Sequence, residues 1–305
     1  MMPISPIESI IHNPFASLDE ALAALSGEKQ PEYTFQRVGG GCIHDSAICR
    51  LKNGQCYFVK RNHPREYDNF FQEAQGLAAL AQSKYIAVAE PLAIGRDNTQ
   101  AFLILTEITR GQANEQTWFD FGEQLARMHQ STTAAQFGWH EDNTIGANQQ
   151  RNAWCDDWVS FFAEMRLKPQ LQQAQSYLSS RLMNDIESII ETLDRLLQPP
   201  ARPQLIHGDL WSGNVMINAQ GEGVLIDPAV YYGHGEADIA MTQLFGGFPE
   251  VFYQGYQQIQ SIAPGFGLRA RIYNLYHLLN HLNIFGGGYL SSVTDQVAAI
   301  NEAIR

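Results

Sequence analysis

At 305 residues the chain has room for about two domains, and an apolar fraction of 45% permits a sizeable core. Its formal net charge of −12 speaks against a nucleic-acid partner, which needs a basic footprint against phosphate repulsion. The same charge means that any nucleotide phosphate must be met by particular local cations and metal ions, not by the field of the whole protein.

No apolar run reaches the roughly 18 residues that would cross a bilayer. The N-terminus, Met1-Met2-Pro3-Ile4-Ser5-Pro6, lacks a basic stretch followed by an apolar one, so no signal peptide and no membrane partner are expected. Cys42, Cys49, Cys56 and Cys155 form no C-x-x-C pair. Reduced thiols in a cytoplasmic protein are therefore expected, with no zinc site.

In chain order, Ser17 and Gly27 bracket a first helix over about 17–25. Short β-prone runs follow near 33–38, 45–51 and 55–60, the last two joined by Lys52-Asn53-Gly54, a hairpin signal. Helical spacing of Phe70, Ala74, Leu77 and Leu80 predicts a helix over about 65–82. A strand pair brackets Arg96-Asp97-Asn98 and ends at Glu107. Beyond it helices dominate, over about 117–130, 156–165, 182–197, 237–245, 250–262, 268–285 and 292–304. One β-rich interlude, 204–226, interrupts them. The expected class is α+β: a strand-rich N-terminal lobe over 1–107 and a helical C-terminal lobe over 108–305, which the residues below mark as ATP-binding and as catalytic and substrate-binding.

The interlude carries the chemistry. Leu205-Ile206 leads into His207-Gly208-Asp209, and Asn214 follows. A hairpin then turns about Gly221-Glu222-Gly223 and ends at Asp227-Pro228. Phosphoryl transfer needs an oriented nucleophile and neutralisation of charge on the transferred oxygens. Asp209 suits a catalytic base for a substrate hydroxyl. Asn214 and Asp227 offer hard oxygens, the ligands that Mg2+ prefers. Each alone is an ordinary loop residue; the order Asp, Asn, hairpin, Asp is that of a kinase.

The N-terminal half supplies candidates for ATP. Gly39-Gly40-Gly41 between two strands can bring backbone N–H groups close to phosphates, although it fails G-x-G-x-x-G. Lys60 ends the strand Tyr57-Phe58-Val59 and can pair with phosphates, held by Glu73 of the following helix, with Glu66 as competitor. Glu107 and Ile108 are candidates by position for the adenine. Cys42 beside the glycines is a redox candidate, since nearby N–H groups favour its thiolate.

The stretches His207-Gly208-Asp209-Leu210-Trp211-Ser212-Gly213-Asn214, Asp227-Pro228-Ala229 and 232–241 resemble the fructosamine/ketosamine kinase family of the aminoglycoside- and choline-kinase-like group. Supporting stretches are Gly39-Gly40-Gly41-Cys42-Ile43, Phe58-Val59-Lys60, Gly138-Trp139, Asp142-Asn143, Ile145-Gly146 and 158–171. The resemblance implies a two-lobed protein-kinase-like fold. It also implies ATP- and magnesium-dependent phosphorylation of a sugar hydroxyl on a ketosamine, free or protein-bound, in protein deglycation. His44 departs from the asparagine of many relatives.

Trp211 is expected as an aromatic wall for the sugar. His207 and Glu236 are further substrate candidates. Glu236 and Asp238 either receive a substrate amine or brace the loop and cap the helix after 237. The polar helix 273–283 is expected to pack against other helices. The alternatives are another small-molecule kinase, for an aminoglycoside, choline or a sugar, and a catalytically silent pseudokinase. A monomer or homodimer is expected.

Overall fold

The computed structural model of the protein describes residues 14–38 and 45–304. The chain forms two compact units, Met1–Asn114 with Met216–Asp227, and Glu115–Val215 with Pro228–Arg305. The elements run α1 Leu18–Ser26, β1 Tyr33–Arg37, β2 Asp45–Leu51, β3 Cys56–Asn62, α2 Tyr67–Ala81, β4 Ala87–Val88, β5 Pro91–Arg96 and β6 Ala101–Thr106. Then come α3 Glu115–Ser131, β7 Asn143–Ile145, β8 Asn148–Gln150, α4 Trp158–Phe161, α5 Lys168–Ala174, α6 Ser180–Glu191 and α7 Leu193–Leu196. Strands β9 Gln204–Ile206, β10 Val215–Ile217, β11 Gly223–Leu225 and β12 Tyr231–Gly233 follow. Helices α8 Gly235–Thr242, α9 Glu250–Ile259, α10 Phe266–Phe285 and α11 Leu290–Ile304 complete the chain.

In the first unit, Ser17 caps α1 by accepting from the Glu20 amide at 3.2 Å, as its position before the apolar run predicts. The antiparallel sheet has the order β1-β2-β3-β6-β5. Side chains alternate across it. Cys49 and Leu51 of β2, Val59 of β3 and Ile104 of β6 face the core that holds Leu18, Ala21 and Leu22 of α1. Truncating Leu22 to Ala there costs about 2–5 kcal/mol. Lys60 follows Val59 and so belongs to the other face, where its amine meets α2. A 3-10 turn, Pro64–Glu66, precedes α2, so the α-helix starts two residues later than its apolar spacing suggests. Strand β4 pairs in parallel with β11, in a small sheet ordered β10-β11-β4. Two residues carry no readable periodicity, which hid β4 from the sequence.

In the second unit α3 packs on α9, and α10 packs against α8, α5 and α11. The helix expected over 156–165 makes one α-turn and then widens into a π-helical segment, Phe162–Leu167, before α5. The helix expected over 182–197 breaks at Thr192 into α6 and α7. Hairpin β7–β8 and the antiparallel pair β9–β12 were not anticipated, each strand being three residues long. No helix among the described residues is long and apolar enough to cross a membrane.

Candidate active site

In the first unit three charged side chains converge. Lys60 Nζ lies 2.8 Å from Glu73 Oε1 and is also hydrogen-bonded to Asp227 Oδ1. Glu66, the alternative partner, pairs instead with Arg65 at 3.2 Å and accepts from Asn69 at 2.7 Å. The choice of Glu73 follows from helix geometry: it lies two turns into α2, one turn beyond Phe70, which is fully buried. Burial alone would lower the Lys60 pKa, but the carboxylates of Glu73 and Asp227 more than reverse that. Glu73 is raised above its ordinary value by burial first; Lys60 pulls it down and the charge of Asp227 pushes it up again. The cluster is one ammonium shared by two carboxylates. Asp227 holds φ at +52°, a left-handed conformation that non-glycine residues adopt at a cost of about 1 kcal/mol or more.

Glu107 and Ile108 line a cavity of about 410 Å³ together with Val88, Glu90, Thr106 and Asn218. Lys60, Glu73 and Asp227 are not among its lining residues. Gly39, Gly40, Gly41, Cys42 and His44 lie outside the described residues. Cys49, Cys56 and Cys155 are free thiols.

In the second unit β9 delivers the chain into His207-Gly208-Asp209, and a 3-10 turn, Ser212–Asn214, follows. Asn214 Nδ2 donates to Asp209 Oδ2 at 2.9 Å and to the Asp209 carbonyl at 2.8 Å. The amide nitrogen thereby orients the carboxylate. Among the described residues no group of three or more His, Cys, Asp or Glu side chains could hold a metal ion. The donors at hand are hard oxygens in small number, which fits magnesium completed by phosphate oxygens and water.

The loop is braced from behind by Asp238. Its Oδ2 accepts from the His207 amide at 2.7 Å and its Oδ1 from the Gly208 amide at 2.9 Å. His129 Nε2 lies 3.2 Å from the same carboxylate, and His129 Nδ1 lies 2.9 Å from the Tyr256 hydroxyl. Burial would raise the Asp238 pKa, but the His129 hydrogen bond and charge, with that of the Gly208 amide, outweigh it, so the carboxyl sits below its ordinary value. Asp238 therefore braces the loop; it does not cap α8, whose N-cap residue is His234.

Two substrate candidates are corrected here. Glu236 is 5% exposed, its Oε2 2.6 Å from Arg269 Nε and its Oε1 2.8 Å from Arg269 Nη2. Reaching a substrate amine would break a buried ion pair, which costs several kcal/mol. His207 is fully buried, and its Nδ1 faces the Asp209 amide at 3.3 Å. It shapes the loop from within. Trp211 is half-buried and meets Phe245 edge-on, with centroids 6.0 Å apart. Its ring lies over Gly213, where a Cβ would come within 2.4 Å of it.

Gly208 has φ +81°, and a Cβ there would fall 2.1 Å from the Ala229 carbonyl oxygen. The Ala229 amide in turn donates to the His207 carbonyl at 2.9 Å. This contact explains why glycine follows His207.

A set of amide side chains that sequence reasoning missed holds the segment after Asp227-Pro228. Gln150 Nε2 donates to the Ala229 carbonyl at 3.0 Å and to Asn143 Oδ1 at 2.8 Å. Asn143 Nδ2 donates to the Val230 carbonyl at 2.9 Å. Tyr276 OH donates to Gln150 Oε1 at 2.8 Å. Arg166, fully buried at the π-helical segment, donates to Asn152 Oδ1 at 2.7 Å and covers the Tyr231 ring at 3.8 Å. Asp142-Asn143 and Arg166 stand in stretches that carry the family resemblance, but their residue types announce no chemistry. The polar groups of α10 serve packing as expected: Tyr273 bonds Trp158 and His234, and Asn280 bonds Asn148 and Gln170.

The family model for fructosamine kinases matches residues 15–303. A protein named probable ketoamine kinase from Synechocystis sp. is 43% identical over 279 residues, covering 90% of this chain and 93% of its own. Chloroplastic protein-ribulosamine 3-kinase of Oryza sativa subsp. japonica is 38% identical over 258 residues, 84% of this chain and 75% of its own. The crystal structure of a Thermobifida fusca protein assigned as a fructosamine-3-kinase matches with a TM-score of 0.82 at 30% identity, over 94% of this chain and 99% of that one. With its antiparallel sheet, helical second unit and these matches, the chain has the α+β protein-kinase-like fold and belongs to the fructosamine kinase family.

Proposed function

We propose that the protein is an ATP- and magnesium-dependent kinase that phosphorylates a sugar hydroxyl of ketosamines, free or protein-bound, in deglycation. The observation that carries the reading is the Asn214–Asp209 pair on a loop fastened by Asp238, in a chain matched almost end to end by the fructosamine kinase family. The names of the relatives, ketoamine kinase and ribulosamine 3-kinase, support the substrate class.

Bound magnesium–ATP would supply the transferable phosphoryl group and the cation that neutralises its oxygens. The chain's own residues do the rest. Asp209 accepts the proton of the substrate hydroxyl, its carboxylate aimed by Asn214. Asn214 and Asp227 carry hard oxygens of the kind that would hold magnesium. Lys60 is kept charged by Glu73 and Asp227 and is the cation for phosphate oxygens. Trp211 offers a ring face to the sugar.

ATP consumption over fructoselysine, ribuloselysine, choline and aminoglycosides tests the reading, with Asp209→Ala as control. Turnover confined to the two ketosamines is expected. Turnover of choline or an aminoglycoside instead would replace the substrate class. Nucleotide binding with no turnover of any acceptor would make the protein a pseudokinase.

A further inference from the structure

A ketosamine carries a secondary amine one carbon from its sugar carbonyl, and that amine is protonated near neutral pH. With Glu236 committed to Arg269, the sequence's candidate for receiving it is gone. A different surface begins at the catalytic loop itself. Trp211, two residues after Asp209, leads to Phe245 at 6.0 Å. Phe245 lies 4.7 Å from the ring of His281 and 6.3 Å from that of Tyr289. His281 lies 5.1 Å from Tyr289 and 5.6 Å from Phe285.

This run differs from the unit's aromatic core. Trp158, Phe161, Phe162 and Tyr273 are all but fully buried. Phe285 is 54% exposed, and Trp211, Phe245, His281 and Tyr289 are half-buried. Burying apolar rings pays best when they are covered, so rings left open beside a catalytic loop point to a ligand. Phe245 also holds φ at +55°, a strained conformation for a non-glycine residue that the surrounding structure must sustain. The His281 Nδ1 donates to the His277 carbonyl at 2.8 Å, a bond that favours the charged ring, but burial outweighs it and pushes the pKa below its ordinary value. A neutral imidazole does not repel a cation. The protein's net charge of −12 favours a cationic ligand further.

We infer that the rings of Trp211, Phe245, His281, Tyr289 and Phe285 form a subsite for the protonated secondary amine of the substrate, held by cation–π attraction. The inference rests on the ketosamine reading and sharpens it: the enzyme selects its acceptor by the charge on the atom that links sugar to aglycone. An aromatic face attracts the ammonium without the desolvation cost of a buried carboxylate, and it leaves the amine free of a tight ion pair when product departs.

Calorimetry compares fructoselysine with an ether-linked analogue in which oxygen replaces the linking nitrogen. Wild type, Phe245→Leu and Tyr289→Leu are measured, with turnover of fructoselysine followed in parallel. Wild type is expected to prefer the amine by about tenfold, and each leucine to cut that preference by about three- to tenfold with little change for the ether. Equal losses for both ligands, or an unchanged preference in the variants, overturn the subsite. Should Phe245→Leu fail to fold, Phe285→Leu at the exposed end of α10 makes the same comparison. If wild type turns over fructoselysine yet shows no preference for the amine, the subsite falls and the kinase reading stands. If it turns over no ketosamine but keeps a preference that the leucines remove, the kinase reading falls and the subsite stands.

Discussion

The charged cluster of the first unit and the His207–Asn214 loop of the second are held by opposite means. Lys60 is fixed by two carboxylates, those of Glu73 and Asp227. Asp209 sits in a loop whose backbone is fixed, through the His207 and Gly208 amides, by a carboxylate that touches no reacting atom. Lys60 has three N–H donors, so it can keep buried Glu73 while turning from the more exposed Asp227 to another oxygen. Two peptide N–H groups bonded to a buried carboxylate have no such alternative. The first arrangement can exchange a partner and the second cannot.

The largest effect should come from the loop. Asp209→Ala is expected to lower kcat by about 10³-fold while leaving the urea midpoint nearly unchanged. A loss of stability matching the loss of rate would show that Asp209 is structural and would collapse the contrast. Asp238→Ala should do the reverse. It strands the two loop amides and His129, and is expected to lower unfolding free energy by about 3 kcal/mol in urea titrations. A stable Asp238→Ala protein would mean that the loop holds itself.

Lys60→Met should cut kcat/KM by about 10²-fold with a smaller stability loss than Asp238→Ala. The reason is that Glu73, deprived of its partner, can take up a proton and become neutral. Comparable losses in the two variants would erase the distinction between exchangeable and fixed partners. Gln150→Leu removes the donor to the Ala229 carbonyl and the acceptor for Tyr276. It should cost about 2 kcal/mol of stability, with kcat falling more than KM rises.

The smallest effect is a pH slope. The Glu73 pKa is raised from 4.5 to about 7, so between those values the folded protein binds more protons at this group than the unfolded chain does. Its contribution is therefore fully present below pH 4.5 and is lost as pH climbs through about 7. The difference in stability between wild type and Glu73→Gln should shift by on the order of 1 kcal/mol across that window. A flat difference would place the shared proton elsewhere in the cluster.

What could be read in advance follows the same division. Lys60 and Glu73 were legible because a charged residue at a strand end and another on the next helix are unusual choices that chemistry explains. The hairpin between Asn214 and Asp227 was legible through the glycines of Gly221-Glu222-Gly223 between two apolar runs. Glu236 misled because a carboxylate looks alike whether it faces a ligand or a buried arginine; Arg269 stands 33 residues away in the chain. The Asn143–Gln150–Asn152 network was illegible for a related reason. Uncharged amides on or beside three-residue strands have neither period nor motif, and their value lies wholly in which oxygens they reach. The π-helical turn at Arg166 was hidden likewise, since its widening reflects tertiary packing.

The 2.1 Å approach between an imagined Gly208 Cβ and the Ala229 oxygen has a practical consequence for anyone redesigning this enzyme. Two segments 21 residues apart behave as a single mould. Grafting the His-Gly-Asp loop into another scaffold without its Asp-Pro-Ala partner, or swapping either from a donor with different backbone spacing, would leave the halves unable to close. Libraries that vary the two independently would consist mostly of dead members. Those that move them together would explore new acceptors on an intact frame.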